Sequence, residues 1–188
     1  AKNGIQDLFA NYGRRPWLGK QHPPLAPIIY GTSMRFLGTT QLAGRIVSIL
    51  FSLGTGVVTY LIGRRLFDRQ TAFLGAALLF SFPLVFRLGA AAMVEMQLTF
   101  FFSLSVLLAL RLAERPSASR LLLVGLAVGA GLLSKYTMVL GLPLMFGIIA
   151  IQGSFQQAVR YFGILALVSL ALLAGWLLGY LTAWLSSL

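Results

Sequence analysis

Six stretches of this sequence contain no charged residue, and short segments that hold all the charge beyond residue 45 join them. They are residues 46–63, 70–86, 96–110, 121–134, 136–159 and 161–188. A helix needs about 20 residues to cross a bilayer core, within a range of about 17–25. The third and fourth stretches are short, but the long stems of flanking arginines and lysines snorkel and extend them. The expectation is an all-α polytopic membrane bundle of about six transmembrane helices. Composition agrees: 58% of the chain is hydrophobic, 10% is charged, and only four acids occur among 188 residues. Such a chain cannot maintain a folded surface in water, so lipid is its solvent. A soluble enzyme domain, a disordered chain and a nucleic-acid reader are excluded.

The net charge of +11 does not form a nucleic-acid patch, because its basic residues stand singly or in pairs, spread along the chain between apolar runs. Topology and headgroup contact account for them. One set of loops holds Arg64, Arg65, Arg69, Arg111, Arg115, Arg120 and Arg160. The alternate set holds Arg87 and Lys135. The positive-inside rule places the first set in the cytoplasm and both chain ends outside. Cysteine is absent, and a single histidine with four scattered acids leaves no multi-histidine metal cluster. No cofactor is called for; a divalent metal stays open.

Residues 1–43 are expected as an extracytoplasmic loop with interfacial helices, and 44–188 as the bundle. The spacing of Ile5, Leu8, Phe9 and Tyr12 suits a short amphipathic surface helix. Residues 25–37 are apolar but too short to cross, with Pro27 in a first helical turn. They are read as a helix lying in the outer interface. Gly125, Gly129 and Gly131 are read as helix-packing positions.

Four features can carry chemistry. In Lys20-Gln21-His22-Pro23-Pro24-Leu25 two prolines fix the backbone beside Lys20 and His22. They form a substrate-binding edge or simply a stiff loop facing headgroups. Glu95 is an acid at the lipid boundary, where a carboxylate is costly unless paired or wet. It is a functional carboxylate facing a polar outer cavity near Arg87, Lys135 or the Lys20–Leu25 loop, or else the structural partner of Arg87, eight residues earlier. Ser134-Lys135-Tyr136-Thr137 puts an ammonium at headgroup depth, as a phosphate contact or as a snorkelling lysine beside an interfacial tyrosine. Arg45, at the start of the first span, allows the same two readings. An acid among several cations at a membrane surface suits a phosphate-linked lipid donor: the cations hold the departing phosphate and the carboxylate orients or deprotonates an acceptor hydroxyl.

Lys20-Gln21-His22-Pro23-Pro24-Leu25 resembles the HPPL-type motif in the first external loop of the protein O-mannosyltransferase superfamily. These are GT-C fold glycosyltransferases that include the aminoarabinose (lipid A) transferases. Arg45 opening a span, Tyr60 to Phe67 closing it, Glu95-Met96-Gln97-Leu98-Thr99-Phe100-Phe101 and Gly131-Leu132-Leu133-Ser134-Lys135-Tyr136-Thr137 are similar to further elements of that family, in the same order. The resemblance covers roughly residues 1–150. It implies a GT-C-like fold in a bacterial inner membrane and a polyprenyl-phosphate sugar donor. It also implies transfer to an acceptor hydroxyl on the extracytoplasmic face. Carried over, Glu95 is the catalytic candidate, and Lys20, His22, Arg45, Arg87, Lys135 and Tyr136 are the substrate-binding candidates. The family's leading acid stands early in the first external loop. Asp7 is the only acid in this chain's portion of it and lies too close to the HPPL-type motif. The chain is therefore expected to be a piece of a longer glycosyltransferase, inactive alone. The alternative is a GT-C-like module serving as a structural subunit of a larger membrane complex. A transporter is disfavoured, because no charge lies near a span centre.

Overall fold

The computed structural model describes residues 23–185. Lys20, His22 and the amphipathic opening of the chain lie outside the described residues. Within them the fold is all helical. The elements are α1 (Leu25–Leu37), α2 (Gln41–Leu66), α3 (Arg69–Ser81), α4 (Pro83–Ala90), α5 (Val94–Glu114) and α6 (Ala118–Ser134). A 3₁₀ turn (Tyr136–Leu140), α7 (Gly141–Gln152) and α8 (Phe155–Leu185) follow.

Local chemistry sets the boundaries. α1 stops at Gly38, whose φ of 86° lies in the region that glycine enters without a side-chain clash. Thr40 caps α2 by accepting from Ala43 N, and Ser117 caps α6 by accepting from Arg120 N. Asp68 caps α3, accepting from Gln70 N at 2.7 Å, Thr71 N at 3.0 Å and the Thr71 hydroxyl at 2.7 Å. The Thr71 hydroxyl, with these amides, holds the Asp68 carboxyl below its ordinary value. Pro83 opens α4 and cannot continue the ladder of α3, so the two helices meet at a 67° bend.

Helix direction follows from contacts at the two ends. Glu95 meets Lys135 at one end of α5, and Arg120 reaches the Arg111 and Arg115 carbonyls at the other. α5 and α6 are therefore antiparallel. Arg65 pairs with Glu114, which brings the C-terminal ends of α2 and α5 together. Phe102 lies against Gly141, and the Ala113 carbonyl lies near Gly153, so α7 runs parallel to α5. The loops holding the larger arginine set thus gather at one end of the bundle.

The span count differs from the expected six. Three helices are long and apolar enough to cross a membrane: α2, α5 and residues Phe155–Gly175 of α8. The bent pair α3–α4 makes a fourth if counted as one span, while α6 and the segment Tyr136–Gln152 are shorter apolar helices. The reason is that chain reversals here do not need charge. The expected span 136–159 ends at Gln152, the chain turns at Gly153 and Ser154, and α8 starts at Phe155 with Arg160 inside it.

α5 to α8 share a core in which Leu112, Val124, Val128, Met145, Ile149 and Leu165 are buried. Gly129 and Gly131 lie so close to Leu172 and Met138 that a Cβ would force those side chains to shift, and a Cβ at Gly125 would be tight against Val168. Helix association in lipid depends on such close packing, since burying apolar surface gains little there. Leu50, Leu53, Phe73 and Leu78 are more than half exposed, as lipid-facing side chains are. α1, with 13 residues, is too short to cross.

Candidate functional site

Glu95 sits in the first turn of α5, where the helix dipole favours a carboxylate. Lys135 is the residue that ends α6, with an extended backbone at φ −157°, ψ 134°, where the dipole favours a cation. Antiparallel packing brings these two helix ends together, and Lys135 Nζ lies 3.1 Å from Glu95 Oε1. The Lys135 and Glu95 side chains stay 28% and 35% exposed, so the pair is half-buried and open to a ligand.

A buried polar link fixes the register beneath it. Gln97 Nε2 donates to Ser134 Oγ at 2.8 Å, and Ser134 Oγ donates to the Ala130 carbonyl at 2.7 Å. Gln97 and Ser134 are fully buried. Gln97 Oε1 is buried with no partner among the described residues.

α1 is tied to the same end. The Tyr30 hydroxyl donates to the Met93 carbonyl at 2.6 Å and lies 2.8 Å from Ser48 Oγ. Met93 N donates to Ser48 Oγ at 3.2 Å, which locks the turn preceding α5. Burial raises the Tyr30 phenol above its ordinary value of 10.0; the Ser48 bond opposes the rise and negative Glu95 adds to it. The folded chain therefore holds this proton more tightly than the unfolded chain. The resulting stability is fully present below the ordinary phenol value and is lost as pH rises through the folded one. Tyr30→Phe is expected to cost about 1 kcal/mol at neutral pH and to flatten the alkaline loss. Thermal unfolding at neutral and alkaline pH checks both.

The remaining candidates are more scattered. Tyr136 opens the 3₁₀ turn beside Lys135 and is 40% exposed. Arg45 is exposed in the first turns of α2 and donates to Gln41 Oε1 at 3.3 Å. Arg87 is exposed on α4. Among the described residues the ion pairs are Arg65–Glu114 and Lys135–Glu95, so of the two expected cationic neighbours Arg87 and Lys135 it is Lys135 that pairs with Glu95. Sequence reasoning did not single out Tyr30 or Ser48, and quoted Gln97 only within a motif. Gln97 had one visible signal, an amide inside an apolar run. Among the described residues no group of three metal-ligating side chains is assembled.

These features define an integral membrane protein, a helical bundle with a half-open carboxylate–ammonium pair at one end. The chain belongs to the dolichyl-phosphate-mannose-protein mannosyltransferase family, whose model matches residues 21–178. The match starts later than the 1–150 of the resemblance and continues further, to residue 178, and makes the protein a mannosyltransferase-like glycosyltransferase. No curated protein and no solved structure matches the chain.

Proposed function

We propose that this chain is the membrane part of a glycosyltransferase that moves a sugar from a polyprenyl-phosphate donor to an acceptor hydroxyl. The observation that carries the reading is the half-buried Glu95–Lys135 pair at the meeting of two helix ends, in a chain of this family. In the reaction the acceptor oxygen bonds to the sugar's anomeric carbon, and the bond from that carbon to the donor phosphate breaks. Lys135 binds the phosphate that departs, and Glu95 orients the acceptor hydroxyl and takes up its proton. Tyr136 flanks the donor, and Arg45, Arg87, Lys20 and His22 add cationic and hydrogen-bonding contacts around it. The test is an assay of the protein expressed from its whole gene, with a radiolabelled polyprenyl-phosphate sugar. Release of the lipid phosphate with labelled acceptor is expected. Intact donor, with the chain copurifying stoichiometrically in a larger complex, would replace this reading with a structural subunit.

The site is assigned to the extracytoplasmic face of a bacterial inner membrane. Support comes from the arginine-rich loops gathered at the opposite end. Ser117, Ser154 and Thr39 are all exposed. Cysteines at Ser117 and Ser154 are expected to resist an impermeant thiol reagent in intact cells, whereas one at Thr39 reacts. Labelling at Ser117 from outside would invert the orientation.

A further inference from the structure

At the end of the bundle away from Glu95, a cavity of about 480 Å³ opens between α5, α6 and the end of α2. Arg65, Arg111, Arg115 and Arg120 line it, against a single carboxylate, Glu114. Two of the four cations are already engaged. Arg65 pairs with Glu114. Arg120 donates to the Arg111 carbonyl at 3.1 Å and the Arg115 carbonyl at 2.6 Å, closing the C-terminal end of α5.

The other two are not engaged in this way. Arg111 Nε is buried with no hydrogen-bond partner among the described residues. The guanidinium of Arg115 makes no hydrogen bond or ion pair among the described residues. Arg111 is in the last turn of α5 and Arg115 follows its last residue, Glu114; both line this cavity, so two like charges share it. A buried charged donor left without an acceptor is costly, and native structures rarely keep one without a ligand or water. An anion between these two groups would satisfy the donor and relieve the repulsion together. Guanidinium forks match the oxygens of a phosphate in geometry.

The apolar part of the lining says which phosphate. Leu108 and Leu123 line the same cavity, and Leu123 is 49% exposed on the lipid-facing side of α6. The cavity therefore joins a cationic rim to an apolar wall that continues into the bilayer. We infer that it is a binding site for the phosphate headgroup of an anionic phospholipid, separate from the Glu95–Lys135 site. Its only carboxylate is tied to Arg65, so it binds and does not transfer protons. A lipid held here fastens α5 to α6 through the arginines and stabilises the bundle.

The test uses the whole protein in detergent, titrated with phosphatidylglycerol, with phosphatidylcholine, or with inorganic phosphate. Phosphatidylglycerol is expected to raise Tm saturably, while phosphatidylcholine and millimolar phosphate do not. Arg115→Gln is expected to weaken the phosphatidylglycerol effect roughly tenfold or more, and Arg111→Gln/Arg115→Gln to remove it. If the double variant fails to unfold cooperatively, the exposed Arg115→Gln change carries the test alone. Equal phosphatidylglycerol affinity in wild type and Arg115→Gln would overturn the site. A Tm rise with inorganic phosphate matching that with lipid would overturn the lipid assignment.

Discussion

Replacing Glu95 by glutamine is expected to lower kcat by about a hundredfold or more, the usual contribution of a positioned acid or base. The donor KM is expected to stay level or fall. The amide keeps the shape of the carboxylate but cannot accept the acceptor's proton. It also frees Lys135 from its 3.1 Å counter-charge, so the ammonium meets the donor phosphate uncontested. Lys135→Ala is expected to do the opposite. It removes a phosphate contact made in ground state and transition state alike, so donor KM rises more than kcat falls. Opposite movements of KM separate this assignment from a merely structural ion pair, whose loss would shift both variants alike. Stability hardly enters, because a pair this exposed contributes little to folding. In the double variant the effects are expected to be non-additive, since both side chains act at one spot. Steady-state kinetics with a labelled polyprenyl-phosphate sugar measure all three proteins. Wild-type rates for both single variants would remove Glu95 and Lys135 from the site.

The two members of that pair were legible in the sequence because a charge at a lipid boundary is costly and therefore conspicuous. Their pairing was legible only as a choice: sequence offered Arg87, Lys135 or the Lys20–Leu25 loop as the neighbour of Glu95, and the fold brings up Lys135, forty residues away, by aligning the start of α5 with the end of α6. Tyr30, Ser48 and Gln97 escaped for a related reason. Each is an ordinary polar residue on its own helix and gains meaning only from the group opposite it. The helical bundle was readable because apolar runs of this length have few other outcomes in lipid. The span boundaries were less so. Counting charges finds where a helix must leave the membrane and misses a turn made of Gly153 and Ser154. It also passes over the bend at Pro83, which divides one uncharged run into two helices.

Alanine at position 63 is expected to destabilise the bundle, although alanine normally stabilises a helix over glycine by about 1 kcal/mol. Gly63 lies in the last turns of α2, packed against the start of α3. A Cβ there would fall 2.8 Å from Ala72 Cα and 2.9 Å from Ala72 Cβ. The obstacle is backbone, so no rotamer change can clear it, and the two helices must separate. Overpacking of this kind costs typically about 1–3 kcal/mol. Ala72 is 3% exposed, so the contact has no free edge along which to relax. Gly75, on α3, supplies the comparison, since a Cβ there meets nothing within 4 Å. Gly75→Ala is expected to raise stability by up to about 1 kcal/mol through helix propensity alone. Unfolding by sodium dodecyl sulfate in mixed micelles measures both. Equal stabilisation by the two substitutions would show that α2 and α3 do not approach at Gly63. Adding Ala72→Gly to Gly63→Ala is expected to recover part of the loss, because it removes one of the two colliding carbons and leaves the backbone contact in place.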